Sequence, residues 1–221
     1  MTTQPLPHTL PLFPLGTVLF PGGLLPLRIF EVRYLDMIGK CHRQGTPFGV
    51  VSVTQGTEVR QAGGPIGGAE SFAAIGTLAV IREFEAPQPG LMQIESVGTR
   101  RFRITGSELQ KHGLWTAAVE AIPDDMALAI PEDLTHTADA LRRLIDTLEA
   151  RRRAEGSDGD DGMQLPFVTP YRFNDCGWVA NRWSELLPLE PALKQRLMEL
   201  DSPLMRLELV SDLLGRNGIA G

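Results

Sequence analysis

The feature that most constrains this 221-residue chain is a change of rhythm partway along it. Over residues 10–122, glycine and proline cut the sequence into short runs rich in β-branched and aromatic residues; from Asp133 onward the apolar residues recur at helical spacing. Proline lacks an amide donor and fixes φ, so Pro14, Pro21 and Pro26 bound or end strands, and Gly22-Gly23 permits a tight reversal. The spacing predicts strands over 17–20, 24–30, 48–54, 74–84, 91–97, 101–105 and 115–122. Short strands so closely spaced suit a small closed or nearly closed antiparallel barrel, which also hides its strand edges.

One helix interrupts the β region, where Val32, Leu35, Ile38 and Cys41 recur every three residues and Gly45 stops the pattern. It is expected to plug one end of the barrel. Residues 56–69, with Gly63-Gly64-Pro65 and Gly67-Gly68, read as a mobile hairpin loop. That loop lacks the Gly-Lys-Ser/Thr ending and helix start that would cradle a phosphate. In the second half, Leu134, Ala138, Leu141, Ile145 and Leu148 form one apolar stripe between Pro131 and Gly156. Asn174 or Asp175 can cap a helix that buries Trp178, Trp183, Leu186 and Leu187. Pro191 opens another helix with Leu193, Leu197 and Leu200, and Ser202-Pro203 starts a last one with Leu204, Leu207, Val210 and Leu214, stopped by Gly215. The expected class is therefore α+β, with a β pseudo-barrel over 8–122 followed by a helical bundle over 123–214. The apolar stripes read first as core, with a partner-binding groove on one face as the alternative.

Charge narrows the partners. Residues 1–120 carry 10 Lys+Arg against 9 Asp+Glu, and residues 121–221 carry 11 against 18. A duplex-binding surface needs a basic face, because counterion release supplies most of its affinity, so nucleic acid is not the expected partner. No run approaches the roughly eighteen consecutive apolar residues of a membrane span, and residues 1–8 lack a cationic start followed by an apolar stretch, which points to a cytoplasmic address without membrane contact. Cys41 and Cys176 form neither a Cys-x-x-Cys pair nor a disulfide framework and are expected to be reduced and packed.

The usual signatures of chemistry are missing. No serine has glycine two residues before it, so there is no nucleophile elbow. His8, His42, His112 and His136 are scattered singly, and adjacent Cys41 and His42 point about 100° apart on a helix, so no metal site is expected. Asp158-Gly159-Asp160-Asp161-Gly162 has the look of a calcium loop, but Gly162 fills the fifth position and Thr169 stands where the twelfth requires Glu. It reads as a solvated linker, and Arg151, Arg152 and Arg153 beside it suit an electronegative helix C-terminus. The acid pairs Glu83 and Glu85, and Asp124 and Asp125, have no second reactive group placed beside them. Neither an enzyme nor a cofactor is expected.

Leu10-Pro11-Leu12-Phe13-Pro14-Leu15, then Val18-Leu19-Phe20-Pro21-Gly22, then Leu25-Pro26-Leu27-Arg28-Ile29-Phe30-Glu31-x-Arg33-Tyr34, resembles the opening signature of the N-terminal substrate-binding domain of Lon proteases. Gly76-Thr77-Leu78-Ala79-Val80-Ile81, Gly98-Thr99-Arg100-Arg101-Phe102-Arg103-Ile104 and Leu186-Leu187-Pro188-Leu189 with Lys194-Gln195 and Leu197 resemble that family's later motifs in the same order. The resemblance implies a PUA-like pseudo-barrel followed by a helical bundle, and a stand-alone module that binds unfolded or extended polypeptide segments or a partner protein. The family's ATPase and serine-lysine peptidase are not expected: the only lysines, Lys40, Lys111 and Lys194, lie in no phosphate-loop or peptidase context.

Among the motif residues, Phe13, Phe20 and Phe30 suit a core. Arg28, Glu31, Arg33 and Tyr34 have polar heads that must be paired if buried or available if exposed. The sequence leaves both readings open: structural ion pairs, or a partner-binding surface that includes Arg101. PUA-like barrels also include RNA-binding members, an alternative carried by fold analogy and by the cluster Arg100, Arg101 and Arg103.

Overall fold

The computed structural model describes residues 9–55, 71–154 and 168–219. The loop expected over 56–69, the acidic stretch 158–162 and His8 lie outside the described residues, as does the side chain of Arg152. The chain divides into two compact units. The first runs to Asp124 and takes in Glu190–Met198, a stretch whose period had grouped it with the helical half; the second comprises Asp125–Leu189 and Glu199–Gly221.

Among the described residues the first unit contains seven strands: β1 (Leu10–Leu15), β2 (Leu24–Ile29), β3 (Phe48–Gln55), β4 (Ser71–Phe72), β5 (Ile75–Gln88), β6 (Leu91–Leu109) and β7 (Trp115–Ala121). They pair in the order β1-β7-β6-β5-β3-β4, and β1 also pairs with β3, which closes a ring through the first strand. That closing pair is parallel, aligning Leu12 with Gly49 and Leu15 with Ser52; the other pairs are antiparallel. β2 pairs with the first half of β6 alone. A closed ring satisfies backbone groups that an open sheet would leave at its edges.

Three strand expectations need correction. Residues 10–15 form β1 despite Pro11 and Pro14. Residues 91–97 and 101–105 belong to one strand, β6, that runs unbroken through Gly98. Residues 17–20 are not a strand. They cross over β6 instead, tied by Thr77 Oγ1 donating to the Leu19 carbonyl at 2.6 Å and by Gly22 N–H donating to Gly98 O at 2.7 Å. A Cβ on Gly98 would collide with the Phe20 carbonyl and Leu19, so glycine is needed there to let the crossing backbone come close.

The helix α1 (Val32–Gln44) ends at Gly45, which adopts φ 63°. Its buried stripe is Tyr34, Met37, Ile38 and Cys41 rather than the expected set, because a helix of 3.6 residues per turn aligns i, i+3, i+4 and i+7, leaving Val32 74% exposed. That stripe packs with Phe13, Leu15, Phe48, Val50, Ala79 and Ile94. A second cluster gathers Leu10, Leu12, Val51, Leu78, Phe102 and Ala117. The helix α4 (Pro191–Glu199) contributes Gln195, whose Nε2 donates to Ile75 O at 2.9 Å.

The second unit holds α2 (Thr135–Ala154), α3 (Cys176–Leu186) and α5 (Pro203–Arg216), with a 3-10 turn at Glu132–Leu134. Asp175 caps α3 by accepting from Trp178 N, and Ser202 caps α5 by accepting from Met205 N. α5 continues past Gly215 to Arg216. Leu134, Ala138, Leu141 and Ile145 are buried as expected, and Trp183 Nε1 donates to Thr137 O at 2.9 Å, joining α3 to α2. Arg206, almost fully buried, donates to Asp125, Asn181 and the Leu200 carbonyl. Among the described residues no helix is long and apolar enough to cross a membrane.

Candidate functional site

A cavity of about 510 Å³ opens beside α1 in the first unit. Arg33, Asp36, Met37, Lys40, Cys41 and Gln44 line it. Their spacing of i, i+3, i+4, i+7, i+8 and i+11 makes them one face of the helix, turned by part of a revolution from the face packed in the core. Met37 and Cys41 belong to both. The opposite wall comes from Thr9 and Pro11 at the start of β1, Thr46 and Pro47 after the helix, and His112 and Leu114 at the turn between β6 and β7. That turn is built by Gly113 at φ 85°, with Gln110 N–H donating to Leu114 O at 2.8 Å. The walls thus combine apolar side chains with a polar and charged rim, and the volume lies in the range of about 300–1,000 Å³ usual for ligand pockets.

Arg33 pins the two walls together. Its Nε meets Glu31 Oε2 at 2.9 Å and its Nη1 donates to Gly113 O at 2.8 Å. Its guanidinium lies 4.4 Å from the Tyr34 ring centroid, and Tyr34 in turn stacks on Phe13 at 4.0 Å with 12° between planes. The column Arg33-Tyr34-Phe13 therefore fixes the start of α1 on the strands.

Of the five residues singled out from sequence, Glu31, Arg33 and Tyr34 gather at this helix start. Arg28 stands exposed on β2, opposite Gln93 of β6. Arg101 is buried and donates from Nη1 to Met198 O at 2.9 Å, which commits it to α4. On either side of Glu31, Phe30 and Val32 are exposed, so Phe30 does not fill the core as its motif position suggested. Sequence reasoning missed Asp36, Lys40, Gln44, His112 and Leu114, because a charged helix face reads as solvated and nothing local joins it to a turn some seventy residues on.

The arginine cluster does not form a basic stripe. Arg101 faces inward, Arg100 Nε lies 3.5 Å from Asp124 Oδ1, and exposed Arg103 stands opposite Glu120 of β7. Cys41 and His42 diverge as neighbours on a helix must: the thiol is buried near Pro47 O, whereas exposed His42 stacks on Phe84 at 4.1 Å. Burial pushes the Cys41 thiol above its ordinary pKa, which keeps it protonated and a poor nucleophile. Cys176 is pushed up in the same way by burial and by the neighbouring Asp175 charge.

In the second unit, His136 Nδ1 lies 3.0 Å from the Asp133 carbonyl and His136 Nε2 lies 3.0 Å from Ser211 Oγ. With Nδ1 donating to the carbonyl, Nε2 can accept from the serine, so a hydroxyl, a base and an orienting acceptor do touch. The acceptor is a backbone carbonyl rather than an acid. Ser211 also sits inside α5, where neighbouring amides are used by the helix ladder and cannot supply an oxyanion hole. The contact works as a surface pin between α2 and α5. Among the described residues no three His, Cys, Asp or Glu side chains are grouped to hold a metal ion.

A strand ring with an inserted helix, joined to a helical unit and carrying a mixed apolar and charged cavity, defines an α+β pseudo-barrel binding module. The family model described as the ATP-dependent protease La (LON) substrate-binding domain matches residues 9–216, and the chain belongs to that family. A crystal structure of a Lon N-terminal domain protein from Xanthomonas campestris is 29% identical, with a TM-score of 0.68 over 92% of this chain and 97% of that one. The N-terminal domain of Mycobacterium avium complex Lon protease shares the fold at 16% identity and a TM-score of 0.57, over 92% and 96% of the respective chains. Protein cereblon from Danio rerio is 23% identical over 253 residues, which span 95% of this chain and 56% of that protein.

Proposed function

We propose that this protein recognises polypeptide, either an extended segment or such a segment of a partner protein, in the cavity beside α1. The observation that carries this reading is the cavity itself: one face of α1 and a glycine turn, pinned by Arg33, enclose about 510 Å³ with apolar side chains below a rim of mixed charge. Apolar walls supply affinity for side chains, and the polar rim can meet the amides and carbonyls of an extended backbone. Membership of a substrate-binding domain family supports the same reading. Exposed Phe30 and Val32 at the helix start extend the apolar surface available there.

Fluorescence anisotropy with labelled extended apolar peptides tests it. Binding with Kd of about 100 μM or below is expected, and Gln44→Trp, which fills the cavity from an exposed position, should weaken it about tenfold. Met126→Ser, at an exposed position of the second unit, should leave it unchanged. Absence of binding across the peptide set, or equal affinity for wild type and Gln44→Trp, refutes the reading.

A further inference from the structure

β2 pairs with β6 alone, so one of its edges has no strand beside it among the described residues. The phase of that ladder is fixed where it begins: Gly98 N–H donates to Gly23 O at 2.8 Å, and Gly22 N–H donates to Gly98 O at 2.7 Å. Bonded and non-bonded pairs alternate along an antiparallel ladder. Leu25, Leu27 and Ile29 therefore direct their amide groups to β6, and those of Leu24, Pro26 and Arg28 point away from it. The outer edge carries the N–H of Leu24 and Arg28 and the carbonyls of all three residues, with no backbone partner among the described residues. Pro26 stands where a missing N–H takes nothing from the pairing with β6. Pro26 and Arg28 are exposed, and Leu27, whose side chain packs on the core cluster, is covered only in part, as befits a sheet border.

We propose that the outer edge of β2 is a recognition surface separate from the cavity, which takes an extended polypeptide as an added strand. None of the residues lining the cavity beside α1 belongs to β2. Donors and acceptors at strand spacing are complementary to extended main chain, and not to a helix, whose amide groups are already bonded within it. Recognition of this kind reads main chain rather than sequence, and Arg28 adds a preference for an acidic residue opposite it. A second copy of β2 fits less well. In an antiparallel pair the carbonyl opposite Pro26 finds no donor, a gap that two copies make twice and a foreign strand once.

The test reads fluorescence anisotropy of a labelled peptide of alternating valine and threonine on the Gln44→Trp chain, whose cavity is filled. The peptide is used unmodified, N-methylated at every second amide, and N-methylated at every amide. The first two keep a free strand edge and should bind within about threefold of each other; the last has no donor and should bind at least about tenfold more weakly. Arg28→Pro removes one outward N–H and leaves the ladder to β6 intact, so it should weaken the unmodified peptide about tenfold, whereas Arg28→Gln keeps that N–H and should stay within about threefold. Amide exchange in the wild-type chain keeps the test valid if Arg28→Pro fails to fold. The Leu24 and Arg28 amides should exchange fast in the free protein and slow at least about tenfold when peptide saturates it. Binding indifferent to methylation, or exchange at Leu24 and Arg28 unchanged by peptide, overturns the inference. Protection of these amides that rises with protein concentration in the absence of peptide assigns the edge to a second copy and overturns it too. A peptide that binds wild type but not Gln44→Trp overturns the edge and supports the cavity reading.

Discussion

Removing the Asp125 carboxylate should destabilise the helical unit by about 3 kcal/mol. Arg206 is 1% exposed and Asp125 17% exposed. The guanidinium donates to Asp125 Oδ2 at 2.5 Å and Oδ1 at 3.4 Å, to Asn181 Oδ1 at 3.0 Å, and to the Leu200 carbonyl. Asp125→Ala deletes the anion among these acceptors and leaves neutral ones, Asn181 and the Leu200 carbonyl, in the cation's place of burial. Breaking one side of a buried pair costs about 3–5 kcal/mol, and the lower end applies because two neutral acceptors remain and the carboxylate is partly hydrated. Arg206→Met removes the cation as well, so the double variant should lose less than the sum of the singles, with a coupling of about 1.5 kcal/mol or more. Trp178 and Trp183 both lie in α3, so urea unfolding followed by tryptophan emission in a Trp115→Phe background reports this unit. Additive single effects, or a loss below about 1 kcal/mol for Asp125→Ala, would refute the reasoning that Arg206 depends on its anion.

Two further outcomes follow from the first unit and the thiols. Gly98→Ala places a methyl group against the Phe20 carbonyl and should cost about 2 kcal/mol or more in denaturant unfolding, whereas Gly106→Ala, with open space at its Cβ, should cost under about 1 kcal/mol. Cys41 and Cys176 have folded pKa values above their unfolded ones, so their contribution to stability is present below the unfolded thiol value of about 8.5 and is lost as pH climbs through the raised folded values. Stability measured by urea midpoint should accordingly fall above about pH 8.5 in wild type and fall less in a Cys41→Ala, Cys176→Ala variant.

The helices were the most legible part of this chain because their evidence is local. Asp175 before Trp178, Ser202-Pro203, and the stripe Leu134, Ala138, Leu141 and Ile145 declare a cap or a buried face within a few residues. The strands depended on neighbours distant in sequence. Residues 10–15 are not among the expected strands, yet β1 pairs with β3 along Leu12–Leu15 and touches β7 only at Leu10 and Pro11. Gly98 looked like a break within residues 91–105, but it answers to the Phe20 backbone crossing above it. The cavity was the least legible feature, since the Arg33 bond that closes it reaches a carbonyl 80 residues away.

The same bond gives Arg33 a structural part that residue type alone left open. Burying a guanidinium is unfavourable unless its donors find acceptors, so every buried arginine requires an account of them. Arg101 reaches Met198 O, Arg182 lies 3.1 Å from Glu185, and Arg206 reaches Asp125, Asn181 and Leu200. In each, the acceptors come from the fold itself. Arg33 uses Nε and Nη1 in the same manner, on Glu31 and on the Gly113 carbonyl. The bond to Gly113 O fixes α1 to the turn, and the bond to Glu31 holds the guanidinium in place at the helix start, so losing either acceptor would leave a buried charged donor unmet.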